Sequence, residues 1–211
     1  MDRRGFTLVE LLVTMSIMAI MTTMAVANFR VSEYGDELRY AASNLAAEIR
    51  RAQTFALVSQ SIYQCREAGD MNGSLCTAGE GGGCGESGRC ILDTPRGGYG
   101  VRIDYGTGGR TALFFADTGD EDRSGDSDHS YQEYELLRRL EFAAAGRNVS
   151  VSAVDPDGGG FLDISFSAPR PTAWFNGRND SPIATVTLTH AKTGQVRTVR
   201  INGISGQVSV E

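Results

Sequence analysis

The most prominent pattern in the chain is an apolar run close to its first residue. The residues from Phe6 to Phe29 are apolar or small and uncharged except for Glu10, and they include neither Pro nor Gly. A helix needs about 20 such residues to cross a bilayer, so the pattern predicts a transmembrane helix. Arg3 and Arg4 precede the run, and positive charge there predicts that this end stays cytoplasmic while the rest of the chain lies outside.

After Arg30 the pattern becomes amphipathic. Apolar residues recur at steps of three and four, the period of one helix face. They are Leu38, Ala41, Ala42, Leu45, Ile49, Ala52 and Ala56. The pattern predicts one continuous helix from about Thr7 to Ile62, whose second half packs its apolar stripe on a globular head.

The rest of the chain is predicted to form strands separated by clusters of Gly, Pro and Asp. The predicted strands are Tyr99 to Tyr105, Thr111 to Ala116, Tyr134 to Phe142, Asn148 to Val154, Phe161 to Ser167, Ile183 to His190, Gln195 to Ile201 and Gln207 to Val210. Alternation before and after Lys192 to Gln195 predicts a hairpin with its turn at those residues. The predicted fold class is α+β, with a long N-terminal helix packed on an antiparallel sheet or small sandwich.

Composition narrows the classes of function. A chain of 211 residues suits one globular domain with an accessory segment. Its formal net charge of −6 argues against a general polyanion binder, so nucleic acid is not an expected partner. The chain has only two histidines, His129 and His190, which argues against a His-dependent catalytic centre. Both are predicted to be structural. We therefore do not expect an enzyme.

Four cysteines lie in one Gly-rich stretch, at Cys65, Cys76, Cys84 and Cys90. They are expected to form disulfides if the domain lies outside the cytoplasm, and a zinc site or free thiols are the alternatives. The absence of a CxxC pair makes zinc the weaker interpretation. Four cysteines allow three connectivities, and the sequence does not choose among them.

An acidic run follows the second predicted strand. Its carboxylates are Asp117, Asp120, Glu121, Asp122, Asp126 and Asp128. The spacing from Asp120 to Gly125 begins like an EF-hand loop, but Tyr131 stands where the bidentate Glu should be. A solvated acidic loop is the more common explanation of such a run; the alternative is a calcium site at Asp117, Asp120, Asp122, Asp126 and Asp128. No other cofactor is expected.

Glu10 is the exceptional residue of the apolar run. An ionised carboxylate inside the hydrocarbon layer costs several kcal/mol, so it is a candidate functional residue that needs a partner. No Lys or Arg follows at helical spacing before Arg30. The partner is therefore expected to come from another molecule.

The residues from Gly5 to Val13, Gly-Phe-Thr-Leu-Val-Glu-Leu-Leu-Val, resemble the type IV prepilin processing and methylation motif. The resemblance implies that a membrane peptidase cuts after Gly5 and methylates the new amine of Phe6. It also implies that Glu10 neutralises the N-terminal amine of a neighbouring subunit, which makes two buried charges tolerable as a pair. Many major pilins have a helix-bending Pro where this chain has Ala27 and Asn28.

The segment from Leu38 to Leu57 and the closing residues Gly206 to Val210 resemble the GspH/FimT-like minor pseudopilins. This implies a pilin fold and a structural subunit of a type IV pilus or type II secretion pseudopilus. Such a subunit is held in the inner membrane by one span, with its head in the periplasm or outside, before it joins the filament. Its expected partners are other pilin or pseudopilin subunits, the prepilin peptidase and the membrane.

The resulting plan of the chain has five parts: a leader (1–5), a transmembrane helix (6–29), an amphipathic helix (30–62), a Cys/Gly-rich loop (63–97) and a β-rich head (98–211). The alternative function is a filament-tip binding module for DNA uptake, adhesion or substrate recognition on the same anchor. Its basic candidates, Arg178, Arg197 and Arg200, are few and scattered, which is a weak basis for binding DNA.

Overall fold

The computed structural model describes residues 7–66, 75–76, 89–105, 109, 111–119, 129–141, 148–167 and 172–211. Helix α1 runs from Leu8 to Leu57, and a short 3-10 helix covers Glu133–Glu135. The strands are β1 (Ile62–Arg66), β2 (Arg89–Asp93), β3 (Gly98–Asp104), β4 (Thr111–Asp117), β5 (Leu136–Glu141), β6 (Val149–Asp155), β7 (Phe161–Phe166), β8 (Ala173–Phe175), β9 (Ile183–His190), β10 (Val196–Asn202) and β11 (Val208–Val210). The predicted α+β class is confirmed.

The chain divides into two compact units, Met1–Glu37 and Leu38–Glu211. In the part that the structure describes, the first unit is the N-terminal portion of α1. The second unit contains the last five turns or so of α1 and every strand named above.

All strand pairs of the second unit are antiparallel within the described residues. One sheet has five strands in the order β5-β4-β3-β7-β8, a second has four in the order β11-β10-β9-β6, and β1 pairs with β2. The hairpin of β9 and β10 is confirmed, with Val196 opposite Thr189. Gly194 adopts a φ of 66° in its turn, a backbone conformation that glycine adopts without cost.

The core of the second unit joins α1 to both larger sheets. The predicted stripe from Leu38 to Ala56 is buried, and Leu45, Ile49 and Ala52 are fully enclosed. These side chains share one cluster with Tyr99 and Val101 of β3, Val186 of β9 and Ile201 of β10. Small Ala side chains in the stripe allow close approach of the helix, and burial of the larger ones contributes about 1.5–3 kcal/mol each.

The helix ends at Leu57 rather than at the predicted Ile62. Ser59 donates its N–H to the carbonyl of Ala56, Gln60 donates to that of Phe55, and Ser59 has a φ of 48°. This is a Schellman ending, which usually places Gly in the left-handed position. Because Ser occupies it here, the sequence carries no stop signal, and Ile62 belongs to β1 instead.

Three strands were not predicted. β1 and β2 lie at the ends of the stretch expected to be a Cys/Gly-rich loop. β8 is followed by a turn in which Asn176 and Gly177 have φ values of 50° and 75°. Asn-Gly is the usual type I′ hairpin sequence, so a local signal for β8 was present. The predicted strand from Tyr134 begins at Leu136, because the 3-10 helix occupies Glu133–Glu135.

Candidate functional site

The N-terminal part of α1 presents an apolar surface. Leu8–Val26 is long and apolar enough to cross a membrane by length and composition, with a mean hydropathy of 1.9 and none of the window buried. Its hydroxyl groups bond within the helix: Ser16 donates to the carbonyl of Leu12 at 2.8 Å, and Thr22 donates to that of Met18 at 2.7 Å. Such bonds satisfy polar groups that hydrocarbon cannot.

Glu10 lies in the first turn of this helix, beside Thr7. The Thr7 hydroxyl accepts the N–H of Glu10 at 3.3 Å and donates to Glu10 Oε2 at 3.3 Å. The first bond is the helix N-cap, and the second is a local bond between the two side chains. Carboxylates are also stabilised at helix N-termini by the macrodipole. Thr7 was not singled out from the sequence, although Thr three residues before Glu is a known N-terminal signal.

Asp117 ends β4 and points to the face of the five-stranded sheet opposite the core. Its side chain is fully buried. Oδ2 accepts the backbone N–H of His129 at 3.0 Å and lies 3.5 Å from Nδ1 of the same residue. Gly97 leaves room for this carboxylate, since a methyl group there would overlap it. Asp117 therefore ties the two ends of residues 118–129 together.

The other four predicted calcium ligands, Asp120, Asp122, Asp126 and Asp128, lie outside the described residues, as does Glu121. In the part of the chain that the structure describes, no group of three or more His, Cys, Asp or Glu side chains is arranged to hold a metal. Oδ2 of Asp117 has the protein partners given above. The calcium site stays a prediction, because four of its five expected ligands lie outside the described residues.

Two more buried carboxylates hold the backbone beside Asp117. Glu135 accepts the N–H of Thr118 at 2.7 Å and that of Gln132 at 3.0 Å. Asp163, in the middle of β7, accepts the Ser130 hydroxyl at 2.8 Å and the Tyr131 N–H at 3.1 Å. We call Asp117, Glu135 and Asp163 the carboxylate brace.

Asp163 is fully buried in the brace, and its surroundings shift its ionisation. Burial raises the pKa of its carboxyl, while the Arg102 guanidinium and the hydrogen bonds from Ser130 and Tyr131 lower it less than burial raises it. Arg102 lies 3.4 Å from Asp163 Oδ2 and 3.0 Å from Asp104 Oδ1, with its guanidinium 3.8 Å from the ring centre of Phe161. These contacts fix Arg102 on the outer sheet face.

The two histidines predicted to be structural are both buried. The ring of His129 stacks on Trp174, with 4.0 Å between ring centres. Trp174 is half-buried in β8. His190 lies within 3.2 Å of the Thr193 hydroxyl in the β9–β10 turn.

The basic residues considered for DNA lie on β10 and in the residues that follow β8. Arg197 and Arg200 are three positions apart on β10, so their side chains leave opposite faces of the strand. Arg200 lies 3.9 Å from Glu211, and Arg178 is exposed after the β8 turn. This arrangement adds no support to DNA binding.

The cysteines are disulfide-bonded where the structure describes them. Cys76 forms a disulfide with Cys90, which selects one of the pairings left open by the sequence. Cys65 is disulfide-bonded as well. Cys84 lies outside the described residues.

Comparison with known proteins bears on the N-terminal segment. Residues 1–26 match the Prokaryotic N-terminal methylation motif. This match supports a type IV pilin-like family, and it covers Glu10, Thr7 and the whole candidate membrane span. No curated protein and no solved structure matches the chain significantly.

The methylation motif gives the N-terminal geometry a chemical meaning. It implies processing by a prepilin peptidase and assembly with other pilins and the membrane. The processing residues Gly5 and Phe6 lie outside the described residues. The carboxylate brace was missed from the sequence, apart from Asp117, although an Asp inside the apolar strand Phe-Leu-Asp-Ile-Ser-Phe is a signal for a buried, partnered polar group.

Proposed function

We propose that the chain is a minor pilin or pseudopilin of the GspH/FimT-like type, cut after Gly5, methylated at Phe6 and assembled into a type IV pilus or type II secretion pseudopilus. The observation that carries the proposal is the coincidence of the methylation motif with an exposed apolar helix that contains one acid, Glu10. Its role is structural, and it needs no active site.

Glu10 supports this proposal through the cost of its charge. Thr7 supplies a hydrogen bond to one carboxylate oxygen, but a neutral hydroxyl does not cancel a charge. In hydrocarbon the remaining cost is several kcal/mol. Under the proposal, the methylated amine of a neighbouring subunit supplies the compensating charge, so docking into the filament is favoured over remaining in the bilayer.

The second unit would be displayed on the non-cytoplasmic side of the inner membrane. Arg3 and Arg4 before the span favour this orientation, and a disulfide at Cys76–Cys90 is typical of an oxidising compartment. Calcium at Asp117, Asp120, Asp122, Asp126 and Asp128 would neutralise a dense set of carboxylates there.

Processing is tested by expressing the full chain with and without a prepilin peptidase and measuring intact mass and N-terminal sequence after membrane extraction. The expected product begins at Phe6 and carries one extra methyl group only when the peptidase is present. An unprocessed Met1, or a cut beyond Val26, would reject the proposal.

Assembly is tested separately with Glu10→Gln, which keeps size and hydrogen bonding but removes the charge. The variant should be processed normally but yield at least about tenfold less sheared filament, because the amine of the next subunit loses its charged partner. Glu10→Asp, which keeps the charge, is the matched control. Equal filament yields from wild type and Glu10→Gln would contradict the assigned role of Glu10.

A further inference from the structure

The two-stranded sheet brings three cysteines together. Cys65 of β1 lies directly opposite Cys90 of β2 in the antiparallel register. Such partners have Cα atoms about 4.5–5.5 Å apart, close enough for a disulfide. Cys90 is nevertheless bonded to Cys76, which comes from outside the two strands.

The third sulfur lies against both strands. Cys65 Sγ is 3.7 Å from Cys76 Sγ, close to the contact distance of two sulfur atoms. The backbone N–H of Cys76 donates to the carbonyl of Tyr63 at 3.1 Å, which holds Cys76 beside β1. Cys76 is therefore placed within reach of two alternative partners, Cys65 and Cys90.

The sulfurs differ in accessibility. Cys65 is 7% exposed, whereas Cys76 and Cys90 are half-buried. An external thiol therefore reaches Cys76 and Cys90 more readily than Cys65. Thiol–disulfide exchange requires a thiolate and access to a disulfide sulfur. When the Cys76–Cys90 bond opens, Cys76 supplies the thiolate beside Cys65 Sγ.

We propose that Cys65, Cys76 and Cys90 form a thiol–disulfide exchange centre that acts on contact with a dithiol reductant. The dithiol thiolate attacks Cys90 Sγ, the Cys76–Cys90 bond breaks, and Cys76 leaves as a thiolate. Cys76 then attacks Cys65 Sγ, the Cys65–Cys76 bond forms, and the former disulfide partner of Cys65 leaves as a thiolate.

The second thiol of the dithiol attacks the mixed disulfide and releases Cys90. The dithiol is thereby oxidised to a disulfide, and the protein gains two electrons, two protons and two free thiols while it keeps one bond, Cys65–Cys76. A two-electron reduction thus changes which residues are tied together. The partner that this centre fits is a dithiol of small size or a dithiol oxidoreductase, and the inference holds whether or not the chain assembles into a filament.

The test uses the detergent-extracted full chain and limiting dithiothreitol at about pH 8, followed by acid quenching and alkylation. Trypsin and a Glu-specific protease cut after Arg66, Glu80 and Arg89, which separates all four cysteines for disulfide mapping. The expected one-disulfide product contains the Cys65–Cys76 pair. A one-disulfide population that holds only the starting pairs would overturn the inference.

A control reaction at low pH suppresses the exchange step. A phosphine reduces disulfides at about pH 3, where the thiolate fraction has fallen about tenfold for each pH unit below a thiol pKa of about 8.5. The Cys65–Cys76 product should then fall at least about 100-fold. Equal amounts under both conditions would show that it does not arise by exchange.

A variant gives an independent measurement without a reductant. Cys84→Ser leaves three cysteines, one of which must be a free thiol. At about pH 8 we expect both Cys76–Cys90 and Cys65–Cys76 pairs at comparable levels. Recovery of Cys76–Cys90 alone, with Cys65 fully alkylated, would overturn the inference, and neither result would alter the outcome of the processing test.

Discussion

Asp117 was predicted from the sequence as a calcium ligand, whereas its contacts make it part of the carboxylate brace. The substitution Asp117→Ala separates these roles. It removes the acceptor of the His129 N–H, a bond of 3.0 Å to a fully buried carboxylate. The amide is then left without this partner at the end of residues 118–129.

The magnitude follows from that single bond. A hydrogen bond to a charged group contributes about 1.5–3 kcal/mol to stability. Removal of a desolvated charge returns part of this cost. We therefore expect Asp117→Ala to lower the free energy of unfolding by about 2 kcal/mol. Asp117→Asn retains an oxygen acceptor, so it should cost less than half as much.

The assay is urea denaturation of the detergent-extracted full chain, followed by Trp174 fluorescence. Trp174 is the only tryptophan and stacks on His129 at 4.0 Å, so its emission reports on the residues that Asp117 holds. The measurement is made in chelator and in excess calcium. A loss of about 2 kcal/mol in chelator is expected for Asp117→Ala. A loss below about 0.5 kcal/mol, or one seen only with calcium, would refute the brace and restore the ligand interpretation.

Two further substitutions examine the same face of the five-stranded sheet. Burial raises the pKa of Asp163, so the native state holds this proton more tightly than the unfolded state, and wild-type stability should fall relative to Asp163→Asn as pH rises from the unfolded pKa through the folded one. Urea denaturation from about pH 3 to pH 8 measures this difference in stability. Asp157→Asn is the control and should show the opposite pH dependence, because hydrogen bonds lower the pKa of Asp157. Parallel plots of stability against pH for Asp163→Asn and wild type would contradict a raised pKa of Asp163. Gly100→Ala should lower the free energy of unfolding by about 1–3 kcal/mol, because its methyl group would overlap the Phe115 ring and the Ile164 carbonyl. A urea denaturation midpoint equal to that of wild type would show that the strands adjust.

The features predicted well from the sequence are those written in local periodicity. The stripe from Leu38 to Ala56 has a helical period, and its residues are buried as expected. The hairpin around Gly194 combines alternation with turn residues, and its strands agree with the structure within one residue at Gln195 and Ile201. In both cases residues close in sequence determine the local structure, so a single sequence is sufficient to predict it.

The features missed depend on distant partners or on an unusual residue in a standard motif. Ser59 takes a left-handed position that is commonly glycine, so the helix end was placed too late. β1 and β2 pair across more than twenty residues, and neither has enough apolar alternation to be recognised alone. Asp163 and Glu135 acquire their roles only when β7 and the 3-10 helix meet the backbone of Thr118 and Tyr131.

The two sets of acids in apolar surroundings obey one rule but differ in where their partners lie. Asp117, Asp163 and Glu135 are covered by the chain itself, which supplies backbone N–H groups, a hydroxyl and the Arg102 guanidinium. Glu10 receives from the described residues a local bond from Thr7, and no cationic residue follows within helical reach. Burying a charge requires a partner of opposite charge or several donors. Under the proposed function, the amine of another subunit meets that requirement for Glu10, a contact that a simple membrane anchor would not provide.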